Sequence, residues 1–173
     1  MNTSDAGAVG RSLLLFDVSG CLCAFPVQAI REIVHIAADE RVPGQPSILH
    51  GFLNLHGEPI AIVSLSRLFG LAEQVLNLYS LILLIRIASD TIGVLADSVE
   101  GVSVVAASDL RPLPVNHSFN DCAEAQFTSE DRVATLLACD RILLEKERRC
   151  LAEVTELARR RLDELSSSHP SQS

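Results

Sequence analysis

Most of the chain alternates between short apolar runs and brief polar interruptions, a pattern typical of β-strands joined by tight turns. Ser12–Val18 predicts the first strand, Ser19-Gly20 predicts a turn, and Cys21–Phe25 predicts the returning strand. Pro26 ends that strand because proline lacks the N–H that a ladder needs. The same pattern predicts further strands at Phe52–Leu55, Ile60–Leu65, Leu78–Ala88, Ile92–Asp97, Ser98–Ala107 and Arg132–Ala138.

Three segments follow a helical period instead. The apolar residues of Val27–Val34 share one helical face and predict a short helix, and Ser66–Leu71 predicts a single turn that ends at Gly70. Arg141–Leu165 predicts a long helix with Asp140 as its N-cap. The apolar stripe of this helix is Leu151, Val154, Ala158, Leu162 and Leu165. Such a stripe either packs on the core of its own domain or meets a partner or a second copy.

Together these elements predict a mostly-β domain of the small-barrel kind that finishes in a long helix. A parallel βαβ architecture is disfavoured because helices do not alternate with the strands. Residues 1–11 are expected to form a disordered arm, and residues 166–173 a disordered tail. Residues 39–47 and 108–121 are predicted loops, since they are rich in proline and small polar residues.

The composition narrows the classes of partner. The chain has 173 residues, of which 48% are hydrophobic, and its formal net charge is −8. This acidity argues against nucleic acid or an anionic membrane surface as the main partner. The longest apolar run, Leu81–Ile85, is far shorter than the roughly 20 residues of a bilayer span, so membrane insertion is not expected. Five scattered cysteines do not resemble a disulfide framework, and the start of the chain lacks a signal-peptide pattern. We therefore expect a cytoplasmic protein with reduced thiols.

A search for catalytic or metal chemistry finds little. No nucleophile elbow, P-loop or dinucleotide fingerprint is present in the sequence. Cys21 and Cys23 share one strand face but lack a second ligand pair, so they are interpreted as core thiols. Asp97, at the end of a buried run, is either a general base or a carboxylate that bonds nearby backbone donors, and the second role is favoured. His56, between two strands, is a catalytic base, a metal ligand, a turn residue or part of a docking surface.

Four stretches in sequence order resemble the CheW-like domain family. The first is LLLFDV-SG-CLCAFPV followed by Ile30-Arg31-Glu32-Ile33-Val34. The second, VPGQPSILHGFLNLHGEPIAIVSL, is similar to the family pattern N-L-R-G-x-x-x-P-[VI]-[VI]-D-L after a Pro-rich loop. The third is Gly93–Val99, similar to G-[LIV]-x-V-D-x-V, and the fourth is the closing VATLLACDRILL. The resemblance covers roughly residues 12–146 and leaves 147–165 as a helical extension.

This resemblance implies two small five-stranded SH3-like β-barrel lobes that share a core, with no enzymatic activity, no cofactor and no metal. Such adaptors couple the cytoplasmic tip of a methyl-accepting chemoreceptor to the regulatory domain of a CheA-type histidine kinase. The partner-contacting residues it implies are Ile30, Glu32, Gly51, Asn54, Leu55, His56 and Gly57, of which His56 occupies a position that belongs to the receptor-facing surface in the family. Those it implies on the kinase-facing side are Val94, Asp97 and Val99, together with the second lobe.

Three residues depart from the family pattern, namely His56, Ala61 and Ser64 in place of the usual Arg, Pro and Asp. The first matters most for docking, because Arg offers five donors and a permanent charge whereas His offers two nitrogens. Two alternatives to a motility adaptor stay open. One is the same adaptor in a non-motility pathway that controls a diguanylate cyclase, pili or development, and the other is a small enzyme of unrecognised type.

Overall fold

The computed structural model describes residues 9–36, 46–77, 79–114 and 121–168, and within them the chain is mostly β. Two helices lie in this part, α1 (Leu65–Leu68) and α2 (Glu145–Ser167), besides single 3₁₀ turns at Val27–Ala29, Ala107–Asp109 and Cys139–Arg141. The strands are β1 (Arg11–Val18), β2 (Cys21–Pro26), β3 (Ile30–His35), β4 (Leu49–Leu55), β5 (Glu58–Val63), β6 (Leu81–Ile87), β7 (Asp90–Ala96), β8 (Ser98–Val105), β9 (Arg111–Pro112), β10 (Ala123–Ser129) and β11 (Arg132–Leu137).

The strands form two sheets between which the chain crosses twice. Sheet A has the order β8-β1-β2-β11-β10-β9, and sheet B has the order β3-β6-β7-β5-β4. The chain leaves sheet A after β2 and returns to it between β7 and β8. Neighbouring strands are antiparallel except for β2 with β11 and β5 with β7. The first strands of the chain therefore complete a sheet whose other members come from the end of the domain.

The core explains why the two sheets fold together. One buried cluster draws on both sheets, since it contains Phe16 and Phe25 of sheet A together with Leu83 and Val94 of sheet B. The two phenylalanine rings stack with their centroids 4.8 Å apart. Leu151 of α2 joins the same cluster, and two smaller clusters lie one on each sheet. Burying each large side chain contributes roughly 1.5–3 kcal/mol, so separation of the two sheets would expose the shared cluster and destabilise both lobes.

These observations confirm a mostly-β fold with two lobes, a shared core and a long C-terminal helix. Sheet B has the five strands predicted for a lobe, whereas the described residues of sheet A form six. The hydrophobic pattern did not predict two strands of sheet A, namely β9, which lies inside the predicted loop 108–121, and β10. Residues 1–8 of the arm predicted at 1–11 lie outside the described residues. Arg11, the last residue of that predicted arm, is already the first residue of β1.

The prediction of a helix at Val27–Val34 is wrong. This segment makes one 3₁₀ turn and then forms β3, which pairs antiparallel with β6. The three β-branched residues Ile30, Ile33 and Val34 favour an extended backbone over a helix. Pairing with the edge of β6 supplies hydrogen-bond partners for the backbone of β3. The stabilisation from this pairing outweighs the helical preference that the spacing of the apolar residues indicates.

The long helix begins later than predicted and does not use Asp140 as its cap. Asp140 lies in a separate 3₁₀ turn, and the buried Ile142 and Leu143 follow it before α2 starts. At the start of α2, the Glu147 carboxylate accepts a hydrogen bond from the backbone N–H of Leu144 at 2.8 Å. The helix continues to Ser167, into the segment predicted as a tail; residues 169–173 lie outside the described part.

Candidate docking surface

The turn between β4 and β5 presents His56 at its tip. His56 and Gly57 both have positive φ angles, 53° and 89°, which is the geometry of a two-residue type I′ hairpin turn. Gly57 suits its position because glycine enters this region without steric cost. The Asn54 side-chain oxygen accepts a hydrogen bond from the Gly57 N–H at 2.8 Å. Asn54, His56 and Gly57 are all exposed, so the turn offers a fixed polar tip to solvent.

An equivalent turn in sheet A has the same backbone but different surroundings. Ser19 and Gly20 join β1 to β2 with φ angles of 51° and 82°, and the Asp17 carboxylate accepts from the Gly20 N–H at 2.8 Å. Here the backbone N–H of Ser19 also donates to the Asp97 carboxylate at 2.6 Å, and its hydroxyl donates to the carbonyl of Ala72 at 2.7 Å. The sheet A turn is thus anchored within the protein, whereas the sheet B turn projects from it.

A groove lies next to both parts of the predicted partner-contacting set, although none of that set lines it. β3 and β4 are opposite edges of sheet B, so the strand order alone does not make Ile30 and His56 neighbours. However, Arg31 of β3 and Glu58 of β5, each next to a predicted contact residue, line the same groove of about 450 Å³. The sheet therefore curls enough for both segments to border one cavity.

Helix α2 forms a wall of this groove that sequence reasoning missed. Its lining residues Arg148, Ala152, Thr155 and Arg159 follow a four-three-four spacing, which places them on one helical face beside Leu151. Apolar side chains of β5 and of the β6–β7 hairpin line the groove as well, and charges of both signs occur around it. The spacing could have identified the face, but only the folded chain shows that it lies against sheet B.

The remaining predicted contact residues differ in exposure. Gly51 is buried in β4 and Leu55 is half-buried, whereas Glu32 is exposed on β3. Val94 has 0% exposed surface and belongs to the shared core, so it supports neighbouring residues and has no surface to offer a partner. Val99 is half-buried at the start of β8.

Asp97 is half-buried between the two sheets, and its environment confirms the structural role that its position predicts. One carboxylate oxygen accepts from the backbone N–H of Ser19, and the other accepts from the side-chain amide of Gln74 at 3.0 Å. A carboxylate whose oxygens are both engaged is well suited to holding a strand end.

Two of the three departures from the family pattern are buried. Ser64 is 2% exposed and caps α1, because its hydroxyl accepts from the backbone N–H of Arg67 at 3.4 Å. Serine and aspartate are both good N-caps, so this exchange keeps the local structure. Ala61 is buried in β5 and borders the groove. His56 is the departure that changes the exposed surface.

The thiols belong to the core. Cys23 and Cys122 are buried and Cys139 is half-buried against the shared cluster, and burial raises the pKa of each of these three thiols to about 12. We call these three the high-pKa thiols. At neutral pH such thiols are protonated and therefore poor nucleophiles and ligands. The five cysteines all lie within the described ranges, and none of them forms a disulfide. In the described part of the chain, no group of three or more His, Cys, Asp or Glu side chains is placed to hold a metal ion.

No helix within the described ranges combines the length and apolar content needed to cross a bilayer.

Comparison with known proteins gives a consistent result. The family model of the CheW-like domain matches residues 12–147. The chemotaxis protein CheW of Rhizobium meliloti is 26% identical over 141 residues, which cover 80% of this chain and 91% of that protein. CheW of Helicobacter pylori is 29% identical over 121 residues, covering 69% and 73% respectively. The crystal structure of the scaffolding protein TtCheW from Thermoanaerobacter tengcongensis matches with a TM-score of 0.70 at 18% identity, covering 80% of this chain and 90% of that one.

Proposed function

Because the chain belongs to the CheW-like domain family, we propose that it is a non-enzymatic adaptor of a chemosensory array. In this proposal it couples the cytoplasmic tip of a chemoreceptor to the regulatory domain of a CheA-type histidine kinase. Its relatives are named as chemotaxis proteins, and a protein of similar fold is described as a scaffold. The adaptor acts by contact, and no residue is assigned a catalytic role.

The exposed β4–β5 turn is the observation that carries the receptor side of the proposal. The turn is rigid, since it is closed by a type I′ backbone and the Asn54–Gly57 hydrogen bond, yet its tip stays in solvent. A preorganised polar tip beside a partly apolar groove suits reversible recognition, because little ordering entropy is lost on binding. We assign the turn and the groove, with Glu32 on β3, to the receptor.

The kinase side is assigned to sheet A. Val99 lies on its edge strand β8, and Val102 and Val104 further along that strand are 61% and 71% exposed. An exposed apolar edge strand marks a surface for protein contact. Two small faces of this kind, each under about 1,200 Å² of buried area, suit a transient scaffold whose holding strength comes from many copies.

The chain offers a matched pair of variants to test the receptor side. Gly57→Arg and Gly20→Arg place the same side chain at the same position of two type I′ turns, with open space around the new Cβ in both. Each costs about 1–2 kcal/mol of left-handed strain, so their effects on stability should match. By isothermal titration calorimetry with a receptor-tip fragment, Gly57→Arg should lose binding and Gly20→Arg should keep it.

Two further arms complete this experiment. His56→Arg should strengthen receptor binding, because it restores the guanidinium that is usual in the family at this position. Titration with the kinase regulatory domain should be unaffected by Gly57→Arg. If the unmodified protein bound neither partner, the adaptor function would be wrong. If Gly57→Arg bound the receptor fragment normally, the receptor side would have to lie elsewhere.

A further inference from the structure

Asp97 is the single residue that joins the two sheets on the return of the chain. β7 ends at Ala96 in sheet B, and β8 begins at Ser98 in sheet A. The orientation of one sheet relative to the other at this crossover therefore depends on the backbone of Asp97. A one-residue connection is short enough that small changes in its φ and ψ would reorient the strands it joins.

Four hydrogen bonds hold this crossover, and we call them the crossover clamp. The Asp97 carboxylate accepts from the Ser19 N–H at 2.6 Å and from the Gln74 amide at 3.0 Å. The Asp97 backbone N–H donates to the Asp17 carbonyl at 2.9 Å, and the Ser19 hydroxyl donates to Ala72 at 2.7 Å. Ser19 and Asp17 belong to the β1–β2 hairpin of sheet A, whereas Ala72 and Gln74 lie in the segment that precedes β6 of sheet B.

The charges around the clamp stabilise its sheet A half. The Asp17 carboxylate forms an ion pair with Arg132 at 2.8 Å, and Arg132 also lies 3.8 Å from Glu100 of β8. This pairing links β1 and β8 to the first residue of β11 on the side of sheet A where the crossover enters. Asp97 thus bonds to a sheet A hairpin that is itself held in place.

We propose that Asp97 is a positioning residue, which fixes sheet B against sheet A so that receptor and kinase can be bound at the same time. This inference rests on the proposed adaptor function and revises the implied role of Asp97 as a contact on the kinase-facing side. Both of its carboxylate oxygens already have protein partners, so it acts on docking through Ser19 and Gln74. Each single partner contacts one sheet, whereas bridging the two partners requires their relative orientation.

Removal of the Asp97 carboxylate should preserve the binding of each single partner but weaken the coupling between the two partners. In Asp97→Ala, affinity for the receptor-tip fragment alone and for the kinase regulatory domain alone should stay within about twofold. Receptor-dependent activation of the kinase in the three-component assembly should fall about tenfold, which lies within the usual range of coupling between sites. Glu153→Ala removes an exposed carboxylate of α2 that does not line the groove and should change neither measurement.

Asp97→Asn is the conservative rescue. Its amide oxygen can still accept from Ser19, and the side chain of Gln74 can turn to present its own oxygen, a buried atom without a partner among the described residues. This variant should therefore keep most of the three-component activity. Gln74→Ala removes one bond of the clamp together with the longer hydrogen bond from Gln74 to the Leu95 carbonyl at 3.4 Å. It should give an intermediate loss and covers the case in which Asp97→Ala does not fold.

Two measurements on the protein alone report the clamp directly. Hydrogen exchange of the Ser19 amide should accelerate in Asp97→Ala, because its acceptor is gone. Residual dipolar couplings should report a changed angle between the two sheets in the variant, although the shared core still holds them in one body. If the variant kept the angle of the unmodified protein and full three-component activity, the positioning role would be wrong. Loss of binding to a single partner would instead make Asp97 a contact or a folding residue, and failure of the unmodified protein to bind either partner would overturn the adaptor function itself.

Discussion

Leu151 anchors the terminal helix to the domain, and its removal tests whether that packing exists in solution. Of the α2 residues, all of which the structure describes, Leu151 is the one that is fully buried, with 4% of its surface exposed. It contacts the core cluster that both sheets share. Two turns further along α2, Leu157 is 55% exposed, so the same helix provides a matched control.

The expected cost of Leu151→Ala follows from its surroundings. Replacement of a buried leucine by alanine costs about 2–5 kcal/mol, and the larger values belong to cavities that stay sealed. Leu151 also borders the groove beside sheet B, so solvent can enter the space left by the missing atoms. We therefore expect the lower end of the range, about 2–3 kcal/mol, and a fall in Tm of about 5–10 °C. Leu157→Ala should stay within about 0.5 kcal/mol of the unmodified protein.

Urea unfolding followed by circular dichroism measures both variants on the same scale. The midpoint should fall for Leu151→Ala with an unchanged denaturant slope, since the surface exposed on unfolding hardly changes. A loss below about 1 kcal/mol, or equal losses in the two variants, would refute the packing argument. The stripe of α2 would then be free for a partner or a second copy, and the groove would lack one wall.

Two further predictions concern the thiols and the centre of sheet B. The high-pKa thiols should react with a thiol reagent at pH 8 far more slowly than Cys21 and Cys150, and all five should react equally in denaturant. Because folding raises their pKa from about 9 to about 12, the folded protein keeps protons that the unfolded chain releases. The free energy of unfolding should therefore be insensitive to these groups below pH 9 and decrease between pH 9 and 12, as urea midpoints would show. Gly93→Ala should cost about 1–3 kcal/mol, because its new Cβ would lie 2.8 Å from the stiff Ile82 side chain; a stability equal to that of the unmodified protein would contradict this.

The strands that the sequence predicted share a clear physical signal. Ser12–Val18 and the core of Leu78–Ala88 are continuous apolar runs, and they form β1 and β6 because both faces of those strands are largely buried. β10 lacks this signal, since its inward positions are the small Ala123 and Ala125 together with Phe127, separated by polar residues. Alanine is depleted in strands, so burial of this segment depends on its pairing with β11.

Other elements depended on contacts that a local pattern does not contain. The segment Val27–Val34 has a helical apolar period, but the free edge of β6 made most of it a strand. Asp140 has the chemistry of an N-cap, yet the burial of Ile142 and Leu143 moved the start of α2 beyond it. The wall that α2 adds to the groove could not be predicted either, because it depends on where α2 packs against sheet B.

The two type I′ turns show where local sequence stops specifying function. Asp17 to Gly20 and Asn54 to Gly57 share an acidic or amide side chain at the first position and glycine at the fourth, and they close the same hydrogen bond. Local chemistry therefore encodes both turns equally well. What differs is the third residue's environment: Ser19 is bound by Asp97 from across the sheet crossover, whereas His56 lies in solvent. In the proposed adaptor, this difference would give the two turns separate roles: the first would fix the orientation of the lobes, and the second would recognise a partner.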